Sequence, residues 1–408
     1  MPLTQRQIFR RRRIAVFGGL ALVLGSGFYL PFTLLAPLEP VAGEVQPWTV
    51  PVTQPAALDF PGYGAVGVGA VGFPGVLASS GTSAPLPIAS LTKLVTALTV
   101  LDAKPLALGE SGPAITFTEA DAGYYDDLVA QDGVVAKAVP GQVISERNIL
   151  DVMLMASAGN YADSVAVWAF GSQSAFLEAS SAWLKKEGLD QTTITDPTGI
   201  LASNTSTVPD LINLAEIALA NPVVAEIVGT ETLEVPGLGT VANRNELLGV
   251  DGVDGIKTGT LDESGACLMF SAKKTIGDQS VEIVGVALGG PDHPTLAADM
   301  RALLDTVTAG FHAVPLVTAG DTFGRWDTPW GDAATAVATE SESVVVWSST
   351  PISVATTVDP IRLATAGQPA GTAVFSVGDR TVTVPLEVQG SIADPGPWWR
   401  LANPAELF

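Results

Sequence analysis

The stretch PIASLTKLVTALTVLDAK, Pro87 to Lys104, starts as an apolar helix and carries a lysine one turn in. Leu91, Leu94, Val95, Leu98 and Leu101 recur at spacings of three and four, which predicts a helix with one face turned to a core. Ser90 and Lys93 are three residues apart, which stacks them on a common face with Cβ atoms about 5–6 Å apart. Taken alone, the pair has an ordinary reading. Serine is a preferred N-cap, and a lysine can lay its stem on apolar surface while its head reaches water. The pair becomes a catalytic one only if the chain also supplies a cation for an anionic substrate end and donors for a developing oxyanion.

Both features occur in GIKTGT, residues 255–260. On a strand bordering a cleft, Lys257 points inward, Thr258 and Thr260 supply hydroxyls, and Gly259 lets a substrate chain approach the backbone closely. A solvated lysine beside a turn glycine would also fit, so K-T-G alone is a weak signal. S-x-x-K opening a helix, then K-T-G on a later strand with a helical region between them, is a strong one.

With these motifs the chain resembles the serine penicillin-recognising enzymes, and most of all the low-molecular-mass D-alanyl-D-alanine carboxypeptidases. The likeness covers roughly residues 60–312 and includes ITDPTGI, SNTSTVPDL and VANRNELL. It implies an α/β peptidase domain, a β-lactamase-like sheet with an inserted helical region, followed by a small all-β domain. It implies Ser90 as nucleophile on the penultimate D-alanine carbonyl of peptidoglycan stem peptides, with Lys93 as its base. Burial and the charge of Lys257 would lower the pKa of Lys93. The backbone N–H groups of Ser90 and Thr260 would form the oxyanion hole, and Lys257 with Thr258 would hold the terminal carboxylate. The middle motif departs from the family's S-x-N. In ASAGNYAD, Ser157 matches, but Gly159 holds the third position and the asparagine follows at Asn160. Ser157 would relay a proton to the leaving amine; Asn160 either swings in to bind substrate or leaves that contact missing. β-Lactam antibiotics are expected as covalent inhibitors, and no cofactor or metal is implied.

Organisation along the chain agrees. YGAVGVGAVGFPGVLASS predicts a hairpin, ERNILDVMLMAS, SAFLEASSAWLKKEG and VPDLINLAEIALA predict helices, and three strand-like runs follow from VDGIKTGTL to VEIVGVALGG. PTLAADMRALLDTVTAGF then reads as a closing amphipathic helix. The peptidase domain is placed at 59–313 and a β domain at 314–408, where Thr, Val, Pro, Gly and Trp become prominent.

Charge is uneven. The 408 residues hold 20 basic and 42 acidic groups, a net of −22, yet Arg6 and Arg10 to Arg13 lie within the first thirteen. Without those five, 15 basic groups face 42 acidic ones, a net of −27 over 39–408. So acidic a body repels phosphate backbones, and nucleic acid is excluded as a partner. Ile14 to Leu38 carry no charge over 25 residues, enough to cross a hydrocarbon core that needs about 20 in a helix. Residues 1–13 read as a cytoplasmic basic tail, 14–38 as an uncleaved signal anchor and proline-rich 39–58 as an extended spacer. The catalytic part would therefore stand outside a single-pass cell-membrane protein.

Cys267 is the lone cysteine, so no intrachain disulfide forms, and GACLMFSA reads it as a buried strand residue. His293 and His312 are the two histidines, and neither belongs to a zinc-peptidase pattern. His293, in GGPDHPT, is the one candidate for a Ser-His-Asp triad and ranks below the Ser-Lys pair. A β-lactamase is the first alternative, but the class A glutamate pattern E-x-x-L-N does not follow the middle motif: SAFLEASSAWL has only Glu178. A wall-binding scaffold weakened at Gly159 is the second, and intact Ser90, Lys93 and Lys257 argue against it.

The anchor makes a prediction about attachment. The mature chain keeps its arginines and stays with membranes after a high-salt wash, because salt screens peripheral charge attraction but does not release a spanning helix. N-terminal sequencing that begins beyond Leu38 would show a cleaved signal instead.

Overall fold

The computed structural model describes residues 5–49 and 51–408. The chain divides into two compact units, Gln54–His312 and a second built from Met1–Thr53 with Ala313–Phe408. Residues 1–4 of the basic tail and Val50 of the spacer lie outside the described residues.

In the unit Gln54–His312, five antiparallel strands form one sheet in the order Val253–Leu261, Gly265–Ile276, Gln279–Gly290, Ala65–Ala70, Ala78–Gly81. Strands from the two ends of the unit thus lie side by side, and the helical region is an excursion between them. The expected hairpin is present, with Ala65 opposite Gly81. Its glycines serve packing: a Cβ on Gly67 would overlap Val208 Cγ1, and one on Gly69 would sit 2.6 Å from Ile212 Cγ2. The helix Val208–Ala220 can therefore lie tight on the sheet. Helices Glu146–Met155, Gln173–Lys186 and His293–Ala309 form where the apolar periodicity places them.

The helix Thr92–Ala103 departs from expectation in being buried on every side from Thr92 to Leu101. Polar side chains on an all-round buried helix can find partners only inside the protein, and Thr92 Oγ1 and Thr99 Oγ1 find none among the described residues. Thr96 finds one, donating through Oγ1 to Pro197 O at 2.7 Å. Helix Gly159–Phe170 packs against it, and with Glu119–Val129 forms part of the helical layer that the periodicity had not singled out.

The second unit is β-rich. Its six-stranded sheet runs Glu44–Val45, Thr322–Asp327, Ala333–Ala338, Arg380–Gly390, Pro369–Val377, Ile352–Val358, around a core with Phe323, Trp326, Val346 and Phe375. The stretch 39–58 is therefore not a free spacer. Glu44 pairs with Arg325, Val41 bridges Ile361, and Trp48 donates to Leu316 O at 3.0 Å while its ring meets Phe375 edge-on at 5.1 Å. Proline-rich composition hid Val41, Val45 and Trp48, which cover an otherwise open sheet edge and core.

The apolar N-terminal helix spans Gln5–Leu34, so it takes in the arginine cluster and stops short of Leu38. Phe9, Phe17, Leu22, Val23, Leu24 and Phe28 all stay exposed along it, as suits a membrane-crossing helix. Ala36 and Leu38, expected inside the span, are instead buried with Leu407. The last turn meets the C-terminal segment: Tyr29 donates to Leu401 O at 2.8 Å, and Phe32 stacks on Phe408 with centroids 4.7 Å apart. Arg400 donates to Ala36 O at 2.6 Å and pairs with Asp394.

Candidate active site

Ser90 lies in a single 3₁₀ turn, Ala89–Leu91, that leads into helix Thr92–Ala103. It is not the helix cap; Leu91 holds that position, without a side-chain cap bond. Ala89 is held at φ +47, a strained setting for a residue with a Cβ. One neighbouring segment maintains it. Leu86 and Pro87 pair with Ser206 and Thr205, and Ile88 N donates to Asn204 O at 3.0 Å. Here SNTSTVPDL acts as the clamp on the strand entering Ser90.

Lys93 Nζ donates to Ser90 Oγ at 2.8 Å and to Thr198 O at 2.5 Å. That second acceptor is presented by ITDPTGI. Asp196 Oδ1 accepts from Thr198 N (2.7 Å), Thr198 Oγ1 (2.6 Å) and Gly199 N (2.8 Å), which curls the loop so that Thr198 O faces the lysine. Only 2% of Lys93 is exposed. Burial lowers its pKa to about 8, opposed by Asp196 and Asp163 and assisted by Arg244. Arg244 thus joins Lys257, whose mutual repulsion with Lys93 acts in the expected direction. An amine of this kind, in contact with a hydroxyl, can take its proton near neutral pH.

The strand Val253–Leu261 is the sheet edge facing Ser90. A Cβ on Gly259 would stand 2.8 Å from Ser90 N and 2.9 Å from Ala89 Cβ, so only glycine allows this approach. Thr258, Gly259 and Thr260 line a cavity of about 300 Å³ together with Ser90, Val134, Ser157, Asn243, Arg244, Glu246 and His293. Ser157, at φ +62, accepts from Lys257 Nζ at 2.9 Å.

Lys257 differs from the expectation for it. It is 2% exposed and outside the cavity lining, and it spends its donors on Ser157 Oγ and on Thr258 O at 2.9 Å. Burial, then Lys93 and Arg244, push its pKa well down. The cation that opens onto the cavity is Arg244, which motif reading missed. VANRNELL holds it there. Arg244 N donates to Met155 O at 3.1 Å, Asn243 Nδ2 to Val228 O and Thr230 O at 3.1 Å each, and Asn245 Nδ2 to Gly255 O at 3.0 Å. His293, considered earlier only for a triad, also lines the cavity, with Nε2 2.7 Å from Thr260 Oγ1.

Asn160 does not swing into the cavity. It is fully buried, and its amide makes a two-way contact with Ala136, accepting from Ala136 N at 3.0 Å and donating to Ala136 O at 2.8 Å. Gly159 N donates to Val134 O at 2.7 Å and Tyr161 OH to Lys137 O at 2.8 Å, so this turn fastens the loop that carries Val134 to the cavity wall.

Residues 74–291 match the family model described as D-alanyl-D-alanine carboxypeptidase. The chain is 32% identical over 240 residues to a D-alanyl-D-alanine endopeptidase of Pseudomonas aeruginosa, covering 57% of this chain and 73% of that protein. It is 23% identical over 258 residues to the D-alanyl-D-alanine carboxypeptidase DacF of Bacillus subtilis, covering 61% and 63%. Penicillin binding protein 5 from Haemophilus influenzae shares the fold, with a TM-score of 0.59 at 18% identity over 85% of this chain and all 100% of that one.

Asn160→Ala removes the partner of both part-buried backbone groups of Ala136, each such hydrogen bond being worth about 0.5–1.5 kcal/mol. The variant is expected to unfold at lower denaturant and to exchange amide protons faster across 130–139. An unchanged unfolding midpoint would show that Asn160 does not hold the loop.

Proposed function

The chain belongs to the D-alanyl-D-alanine carboxypeptidase family, and from that premise we propose that it is a serine D,D-carboxypeptidase that removes the terminal D-alanine of peptidoglycan stem peptides. The observation that carries this reading is the 2.8 Å contact of a buried, pKa-lowered Lys93 with Ser90 at the floor of a cavity. Neutral Lys93 takes the Ser90 proton as Oγ attacks the carbonyl of the penultimate D-alanine. The N–H groups of Ser90 and Thr260 stabilise the oxyanion. Arg244, with Thr258 and Thr260, receives the terminal carboxylate, the role first expected of Lys257. Lys257 orients Ser157, which relays to the leaving amine the proton that Lys93 took from Ser90, and water then hydrolyses the acyl-enzyme. Asn160 is a positioning residue for the wall, and Gly159 offers substrate no side chain. A β-lactam is attacked in the same way. The apolar helix Gln5–Leu34 fits a membrane anchor holding this site outside the cytoplasm.

Endopeptidase action is the second reading, favoured by the name of the Pseudomonas aeruginosa relative. Both reactions cleave a D,D-bond, and digestion of a cross-linked muropeptide dimer beside an uncross-linked pentapeptide separates them.

Intact-protein mass spectrometry with benzylpenicillin is the direct test. One adduct forms in the wild type, maps to Ser90 and vanishes in Ser90→Ala; the altered protein stays folded. Lys93→Arg is nearly as damaging, since a guanidinium keeps its proton. Because Lys93 acts when neutral, the acylation rate climbs as pH rises through about 8 and levels off above it. An adduct persisting in Ser90→Ala removes the nucleophile assignment, and rapid release of opened drug would mark a β-lactamase.

A further inference from the structure

We propose that His293 is a specificity-determining residue that takes up a proton when a carboxylate seats beside Thr260, so that binding at this end of the cavity is linked to pH. The proposal rests on the reading of the site given above and adds to it a titrating group that the catalytic steps do not use.

His293 is placed with care. Asp292 caps the helix His293–Ala309 by accepting from Thr295 N at 2.7 Å, which sets the imidazole at the first helical position. The ring lines the same cavity as Thr258, Thr260 and Arg244, and its Nε2 meets Thr260 Oγ1 at 2.7 Å. A neutral imidazole satisfies this bond as donor or acceptor, because the hydroxyl can be either. The anionic end of a substrate that engages Thr260 therefore arrives within a few ångströms of the ring.

The surroundings keep the free ring neutral. Burial opposes the charged form most, and Arg244 and Lys257 add to it, while Glu246 and Asp292 favour the imidazolium; the net effect holds the pKa below its usual 6.5. The exposed amides of a helix N-terminus also disfavour a cation. A bound carboxylate reverses the balance, since an opposite charge at this range favours the imidazolium, and the protonated ring can then donate toward the anion. Thr260 keeps its partner in either state.

The sign follows from linkage. Binding that draws up a proton is strongest where the proton is already present, so carboxylate affinity falls as pH rises from the mildly acidic range. With one proton linked, the limit is about tenfold per pH unit. Arg244, a permanent cation, gives no such slope. Lys93 imposes the opposite dependence on the chemical step, so the two groups separate when binding is measured apart from turnover.

The test uses the full chain in detergent, as Ser90→Ala, with an N-acylated D-alanyl-D-alanine peptide and its C-terminal amide. His293 and His312 are the only histidines, so two imidazole signals report by NMR. With saturating carboxylate peptide, the His293 midpoint is expected to move up by about one pH unit or more while His312 stays put; the amide moves neither. Calorimetry in two buffers of different ionisation enthalpy counts the proton taken up, and His293→Asn in the same background is expected to abolish that part of the uptake. Binding of the carboxylate peptide with a static His293 midpoint overturns the inference and leaves the assigned function standing. Failure of both peptides to bind overturns both. The NMR arm needs no His293 variant, so misfolding of His293→Asn would leave the result decidable.

Discussion

Two lysines are buried to 2% exposure in the unit Gln54–His312, and much of its site architecture serves to house them. An ammonium removed from water must be neutralised or surrounded by acceptors. Each lysine here receives one hydroxyl and one carbonyl: Ser90 Oγ and Thr198 O for Lys93, Ser157 Oγ and Thr258 O for Lys257. No carboxylate contacts either nitrogen among the bonds described. A direct carboxylate partner would hold the ammonium form and deny Lys93 the part of base proposed for it. Asp196 accordingly acts at one remove, its oxygens accepting from backbone donors of its own loop, from Thr198 Oγ1 and from Asn204 Nδ2.

The backbone is strained at or beside the two hydroxyls that the lysines contact. Ala89 and Ser157 both adopt positive φ, a cost of about 1–3 kcal/mol apiece that the surrounding packing must offset. At Ala89 the opposing surface is Gly199, where any Cβ would collide with Ala89 O, and at Ser90 it is Gly259. Glycine on the facing loop and glycine on the facing strand let three pieces of chain meet closer than side chains would permit. The result is a Ser90 hydroxyl, the nucleophile of the proposed reaction, directed by its backbone before any substrate arrives.

This division explains what sequence could reveal. Spacing along one element carried Ser90 to Lys93, and alternation and periodicity carried the hairpin, the helices and the final strands. Contacts across elements were another matter. Nothing local in GIKTGT says that the Lys257 nitrogen turns back to Ser157, leaving Arg244 of VANRNELL, which lies on a different segment, to face the cavity. His293 was visible as a residue but not as a neighbour of Thr260, because the two are 33 positions apart. The 39–58 stretch misled for a compositional reason: proline signals extension equally well in a spacer and along a sheet edge.

The middle motif shows how a one-residue displacement changes a side chain's function. In helix Gly159–Phe170 consecutive residues project about 100° apart, so an asparagine at 160 points its amide away from the direction that position 159 faces. Here the rotated amide reads the backbone of Ala136 through a paired donor and acceptor. That contact fixes the loop bearing Val134, a residue of the cavity wall. Gly159 itself has limited room, since its Cβ would lie 2.9 Å from Leu128 Cδ1. An asparagine at 159 would meet only the far end of the Leu128 side chain this closely, so the packing there can yield by a small shift of that side chain.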